Sequence, residues 1–179
     1  MPLYAYQQRW LADQARFKGA VKSVQIGWSF VQAMETALDC AERRTLWLMF
    51  SASERQSLEL ARTCKQICQA AGIVAELREN EFFRYSQHRI EFPNEARILA
   101  LPANPDTVRG FAGNVVLDEF AIHQDATEIW RAAFGRASRG YKIRVFSSPK
   151  GARGRFYEMA KEGQVGAGPC ARPGQGRSP

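Results

Sequence analysis

The chain predicts an α/β fold, a mostly parallel sheet with helices on its faces. Two features carry this. Apolar runs of strand length alternate with segments of helical period, in the order β-α-β-α-β from Ala20 to Leu77. In addition, three apolar runs are followed by small polar, basic or acidic residues (Lys22-Ser23, Asp118-Glu119 and Ser147-Ser148). Open α/β sheets bind their ligands at such strand ends.

Each element follows from its residues. Tyr6 to Phe17 carries Trp10, Leu11 and Phe17 at helical spacing, and Gly19 ends it. Ala20 to Ser23 reads as a short strand. A turn through Gln25-Ile26-Gly27-Trp28 leads into a helix from Ser29 to Arg43, with Ser29 as N-cap and Phe30, Val31, Met34, Ala37 and Leu38 as its apolar stripe. Thr45 to Phe50 reads as a buried strand, Glu54 to Ala71 as a helix closed by Gly72, and Ile73 to Leu77 as a third strand. His88 to Phe92 and Arg97 to Leu101, joined at Pro93-Asn94, read as a hairpin inserted into this rhythm. Pro102 to Ala112 reads as loop, Asn114 to Leu117 as an apolar strand, Ala126 to Phe134 as helix, Ile143 to Phe146 as strand and Arg153 to Lys161 as a last helix. From Gly163 the residues are mostly glycine, proline and polar. The expected division is therefore one domain over 1–162 and a disordered low-complexity tail over 163–179.

Composition fits one soluble domain: 179 residues, 45% hydrophobic and 24% charged. The longest apolar run, Leu46 to Phe50, is far short of the roughly 18 residues of a membrane span, and the first residues lack the layout of a signal peptide. A net charge of +7 points toward a polyanionic partner without establishing one. Eight of the cations (Arg131, Arg136, Arg139, Lys142, Arg144, Lys150, Arg153 and Arg155) fall between Ile129 and Tyr157, with no acid among them. The run forms either a solvated face or one that contacts phosphates. Cys40, Cys64 and Cys68 are expected reduced and near the core. His88 and His123 do not complete a zinc pattern with the cysteines.

Three constellations carry chemistry. Lys22-Ser23-Val24-Gln25-Ile26-Gly27-Trp28-Ser29 lies between a strand and a helix, where backbone N–H groups face a phosphate. Gly27 and Ser29 fit the phosphate-loop pattern G-x-x-x-x-G-K-[ST], while Lys22 stands at its first glycine and Trp28 at its lysine. A lysine at the start of the loop can reach phosphates from the other side, and Ser29 offers a hydroxyl to Mg²⁺. A plain tight turn before a helix has the same form. Asn114 to Glu119 delivers two carboxylates to a strand end, Asp118 for Mg²⁺ and Glu119 to orient and deprotonate a water, although paired acids also occur there without a role. Val145 to Pro149 ends a strand in hydroxyls suited to sensing a γ-phosphate, or simply stops before proline. In this order the three give the layout of an ATPase core that works by positioning and charge stabilisation.

On these residues the chain resembles the large terminase subunit of tailed phages, especially the Mu-like group. The resemblance is carried by Tyr6 to Leu11, Lys22 to Phe30, Ser51 to Gln56, Leu101 to Pro105, Arg109 to Asn114, Val115 to Phe120 and Ser147 to Pro149. It implies a P-loop NTPase-like fold of the RecA/ASCE type, and a hydrolase that uses ATP and Mg²⁺ to package double-stranded DNA into a capsid. The implied setting is the bacterial host cytoplasm, as a homo-oligomer with the portal protein and the small terminase subunit. The resemblance further implies that Gln7 reads adenine with Tyr6 beside the base, and that Lys22, Ser23, Gln25, Gly27, Trp28 and Ser29 form the nucleotide loop. Asp118 and Ser29 would serve the metal, Glu119 would be catalytic, and Ser147 and Ser148 would couple hydrolysis to movement.

The chain departs from the family at two places. Val24 stands where relatives commonly carry arginine, which puts the hydrolysis rate in doubt. The family's C-terminal nuclease domain has no counterpart, so the chain is expected to end before it and to lack nuclease activity. Two other readings compete: a non-catalytic prophage remnant that binds nucleotide or DNA without turnover, and a helicase-like translocase.

Overall fold

The computed structural model describes residues 2–80, 87–103, 109–137 and 139–167. Its elements are α1 (Ala5–Ala12), β1 (Phe17–Val21), α2 (Trp28–Glu42), β2 (Leu46–Ser51), α3 (Glu54–Ala70), β3 (Glu76–Asn80), β4 (Gln87–Glu91), β5 (Arg97–Pro102), β6 (Asn114–Asp118), a 3₁₀ turn (Phe120–Ile122), α4 (Ala126–Ala137), β7 (Ile143–Ser147), α5 (Arg155–Lys161) and β8 (Gly166–Ala167). The strands form one sheet in the order β3-β4-β5-β2-β6-β7-β1-β8. From β5 to β8 every neighbouring pair is parallel.

The sheet is sandwiched. On one face α1, α2 and α3 bury Trp10, Val31, Ala37, Leu60 and Cys64 against Trp47, Met49, Ile98 and Val116. On the other, α4 and α5 bury Ile129, Trp130, Phe156 and Met159 against Phe50, Leu117 and Val145. Strands covered on both faces are buried throughout, as β6 and β7 are: all five residues of each are buried, mostly apolar, with Asn114 and Asp118 at the ends of β6 and Arg144 and Ser147 in β7 as the polar members. The cysteines Cys40, Cys64 and Cys68 are buried and free, and burial pushes their thiols up, out of the reactive range. Among the described residues no helix is long and apolar enough to cross a membrane.

Local chemistry explains the ends of α3. Ser53 caps it, accepting from the Gln56 N–H at 3.3 Å. At its C-terminus Gly72 turns left-handed (φ +67°), which lets the Ile73 N–H reach the Cys68 carbonyl at 2.8 Å and the Gly72 N–H reach Gln69.

Five expectations are corrected. The first strand is Phe17–Val21, so Gly19 lies inside it rather than ending a helix. A Cβ there would meet Val165 Cγ1 at 2.4 Å. Helix α2 starts at Trp28 with left-handed Gly27 as its cap; Ser29 is already inside, its hydroxyl used elsewhere. The third strand runs Glu76–Asn80 at the sheet's edge, antiparallel to β4. The hairpin is present, β4 antiparallel to β5, but it does not stand apart from the sheet: β5 also pairs parallel with β2 along six residues. Finally, the basic run is not one face. Arg144 is fully buried, bonded to Glu35 at 2.8 Å, and Lys142 holds Asp39 at 3.0 Å.

Glu35 is also held by buried Lys18 at 2.8 Å, so one carboxylate serves two cations beneath α2. Burial lowers the Lys18 pKa against the pull of Glu35. Beyond Lys161, Val165 is 4% exposed, and Gly166 and Ala167 pair with Ala20 and Val21. Glycine and alanine have little side chain to bury, but their backbones can still join a ladder. Residues 104–108 of the expected loop, and 168–179 with Cys170, lie outside the described residues.

Candidate active site

The C-terminal ends of β1, β6 and β7 lie together under the N-terminus of α2. This follows from the strand order, in which β7 stands between β1 and β6. Lys22 continues β1, its N–H bonded to the Ser147 carbonyl at 3.0 Å. It is 6% exposed, and its ammonium lies on the carboxylate of Glu119, 97 positions away.

Glu119 follows β6 in a left-handed conformation (φ +50°), uncommon for a side chain of this kind. Its second oxygen accepts from the Ser148 N–H at 3.1 Å and the Ser147 hydroxyl at 3.3 Å. Burial alone would raise its pKa; the bonds from Lys22, Ser148 and Ser147 outweigh this and hold it below the usual carboxylate value. Ser147 is also tied down by the Ala121 N–H at 3.0 Å. The Ser148 hydroxyl is buried without a partner.

Asp118 is 8% exposed. One carboxylate oxygen accepts from the Ser29 hydroxyl at 2.9 Å, and the other is buried without a partner. Burial pushes its carboxyl up to about 6, against the Ser29 bond and the Lys22 charge. The backbone carbonyl of Asp118 is held by His123 Nε2 at 2.9 Å. That contact assigns the ring proton to Nε2, and burial keeps the imidazole neutral by lowering its pKa.

The loop from Lys22 to Ser29 is shaped by Gln25 and Gly27, both at positive φ. Ser23 is half-buried, Gln25 exposed, and Val24 66% exposed. The loop is braced from α1. Tyr6 donates its hydroxyl to the Ile26 carbonyl. Gln7, 4% exposed, accepts from the Tyr4 N–H at 3.0 Å and donates to the Gly27 carbonyl at 3.3 Å. Tyr6 is stacked on both sides, against Tyr4 and Trp28. Trp28 is 5% exposed and packs edge-on to Trp10; in place of the pattern's lysine it anchors the loop in the core.

The structure therefore brings together Lys22, Ser29, Asp118, Glu119, Ser147 and Ser148. It sets Tyr6 and Gln7 behind the loop, with their polar groups committed to its backbone. His123, read from sequence only as a poor zinc candidate, proves to brace Asp118 through a backbone contact that no spacing signals.

A parallel sheet in which an additional strand separates the phosphate-loop strand from the Asp-Glu strand defines a P-loop NTPase fold of the ASCE class. The chain belongs to a family within it: the family model of the terminase large subunit, T4likevirus-type, N-terminal region, matches residues 20–163. It is 30% identical over 173 residues to the Mu-like prophage FluMu protein gp28 of Haemophilus influenzae, covering 92% of this chain and 34% of that one. The chain thus spans about a third of that relative's length. The fold is similar to the large terminase ATPase domain of Thermus phage P74-26 (TM-score 0.66, 19% identity, 88% of this chain and 69% of that one). It is also similar to the large terminase of a thermophilic bacteriophage solved in complex with ATP-γ-S (TM-score 0.64, 15% identity, 93% of this chain and 44% of that one).

Proposed function

We propose that this chain is the ATP-hydrolysing motor domain of a phage terminase large subunit, coupling hydrolysis to the packaging of double-stranded DNA. One observation carries the reading: Lys22, Ser29, Asp118, Glu119 and the Ser147-Ser148 turn converge on the ends of three neighbouring strands. The similar terminase bound to ATP-γ-S supports the nucleotide class.

The donor set fits MgATP. Asp118 offers a buried carboxylate oxygen without a partner, next to the Ser29 hydroxyl, as a hydrated divalent cation requires. Bound there, Mg²⁺ would neutralise charge on the phosphates. Lys22 would leave Glu119 for the phosphates, where an ammonium stabilises the charge of the transition state. Glu119, freed from Lys22 but still held by Ser148, would orient a water. As the water oxygen bonds to the γ-phosphorus and the bond to the bridging oxygen breaks, Glu119 takes the proton. Ser147 and Ser148 touch the same carboxylate, so a change at Glu119 moves the start of the β7–α5 segment; this is the coupling route. Gln7 would read adenine by giving up its bond to Gly27, which would link base occupancy to loop shape. Ser23 and Gln25 would contribute loop backbone N–H groups. Tyr6 would act through the stack that holds the loop.

In this reading the partners are double-stranded DNA, a portal protein, a small terminase subunit and further copies of the chain, in the bacterial host cytoplasm. A second reading, nucleotide or DNA binding without turnover, is favoured by Val24, an exposed aliphatic group on the phosphate loop. The two separate on DNA-stimulated phosphate release. If it is present and lost in Glu119→Gln, the motor reading stands. If it is absent while MgATP still raises the melting temperature, the second does.

A further inference from the structure

The end of β2 opens onto a cavity of about 220 Å³ that runs from the Asp118-Glu119 turn to helix α3. Ser29, Ser51, Gln56, Glu59, Asp118 and Glu119 line it. Two polar atoms of this wall, Ser51 Oγ and Asp118 Oδ1, are buried and have no hydrogen-bond partner. Strand register explains their proximity. Phe50 of β2 faces Leu117 of β6, so the next residue on each strand, Ser51 and Asp118, lies on the same face of the sheet. Ser51 is 2% exposed.

A buried hydroxyl without a partner is destabilising, and an alanine would fill this place better. The other strand-end serine, Ser147, is fully bonded to its own surroundings. Ser51 therefore presents hydrogen-bonding capacity that the protein itself does not use. The cavity is large enough for a water, which needs two to four polar partners, and Ser29, Ser51, Gln56 and Asp118 in its wall offer them.

We propose that Ser51 is a positioning residue of the nucleotide site: its hydroxyl holds a water in this cavity beside Asp118, and through that water it orients the divalent cation. The inference rests on the MgATP reading above. It gives the end of β2 a role alongside the ends of β1, β6 and β7.

The test uses Ser51→Ala and Ser51→Thr in the full chain, with MgCl₂ titrated against fixed ATP-γ-S and thermal melting as the readout. Three results are expected. Without ligand, Ser51→Ala melts at or above the wild-type temperature. The Mg²⁺ concentration that half-saturates the nucleotide-induced shift rises ~10-fold in Ser51→Ala, the usual effect of losing a residue that supports a metal's ligands. Ser51→Thr, which keeps the hydroxyl, restores most of it. An unchanged Mg²⁺ half-point in Ser51→Ala overturns the inference and leaves the nucleotide reading intact. A lower melting temperature without ligand overturns it in favour of a purely structural serine. A wild-type chain whose melting ignores ATP-γ-S at every Mg²⁺ concentration overturns the nucleotide reading, and this inference with it.

Discussion

Lys22 and Glu119 are ion-paired across the mouth of the site, so the lysine that would meet a phosphate and the carboxylate that would meet a water neutralise each other. On the proposed reading neither group is set for its chemistry in this arrangement, and nucleotide would separate them. Lys22→Ala should abolish the rise in melting temperature with MgATP. Glu119→Gln should keep that rise, since the amide oxygen can still accept from Ser148, and lose at least ~100-fold in turnover. Equal loss of binding in both variants would show that Glu119 holds the loop rather than the water.

Asp118 sets a pH dependence. Its carboxyl is shifted from 3.8 to about 6, chiefly by burial. The folded state therefore binds this proton more tightly than the unfolded chain. The resulting stability is full below the unfolded value and is lost as pH rises through the folded one. Asp118→Asn removes this loss. At about pH 8, without divalent ions, it should be more stable than wild type by roughly 3 kcal/mol. The difference should shrink as pH falls toward the unfolded value. Urea unfolding at both ends of the window checks it, and a less stable variant at high pH would refute the sign.

Gly27 carries a left-handed turn, and a Cβ there would stand 3.1 Å from Gln7 Nε2. Gly27→Ala should cost about 1–2 kcal/mol. It should also weaken nucleotide binding more than Gln7→Ala does, because it deforms the loop itself. The comparison needs melting curves with and without MgATP for both variants.

The carboxylate shared by Lys18 and Arg144 gives an asymmetric pair of variants. Glu35→Gln leaves two buried cations without a counter-charge and should cost about 3–5 kcal/mol. Lys18→Met leaves the Arg144–Glu35 pair whole and should change stability little or raise it. Chemical denaturation distinguishes them; similar losses in both would mean that the lysine is integral to the network.

These cases show what the sequence makes legible. The Asp118-Glu119 strand end and the turn at Gly72 are local: each signal and its consequence lie within a few residues. What stayed hidden depends on distant partners. Ser29 looked like a cap because its partner, Asp118, is 89 positions away. Arg144 looked like part of a surface charge run because Glu35, which permits its burial, is 109 positions away. The commitment of Gln7 and Tyr6 to the loop backbone has no sequence signal, since a carbonyl can be any residue's. β8 was missed because two small residues show no periodicity.

The placement of β1 has a consequence for how the protein is made. The strand that carries the phosphate loop pairs only with β7 and β8, both formed from residues beyond 142. On the ribosome, more than a hundred residues must follow β1 before either neighbour exists, on the order of ten seconds at ordinary synthesis rates. Through that interval β1 has two bare edges and the phosphate loop has no floor. On the proposed reading, the nucleotide site would therefore form only after β7 is made, and ATP would not act as a folding ligand for the nascent chain before then.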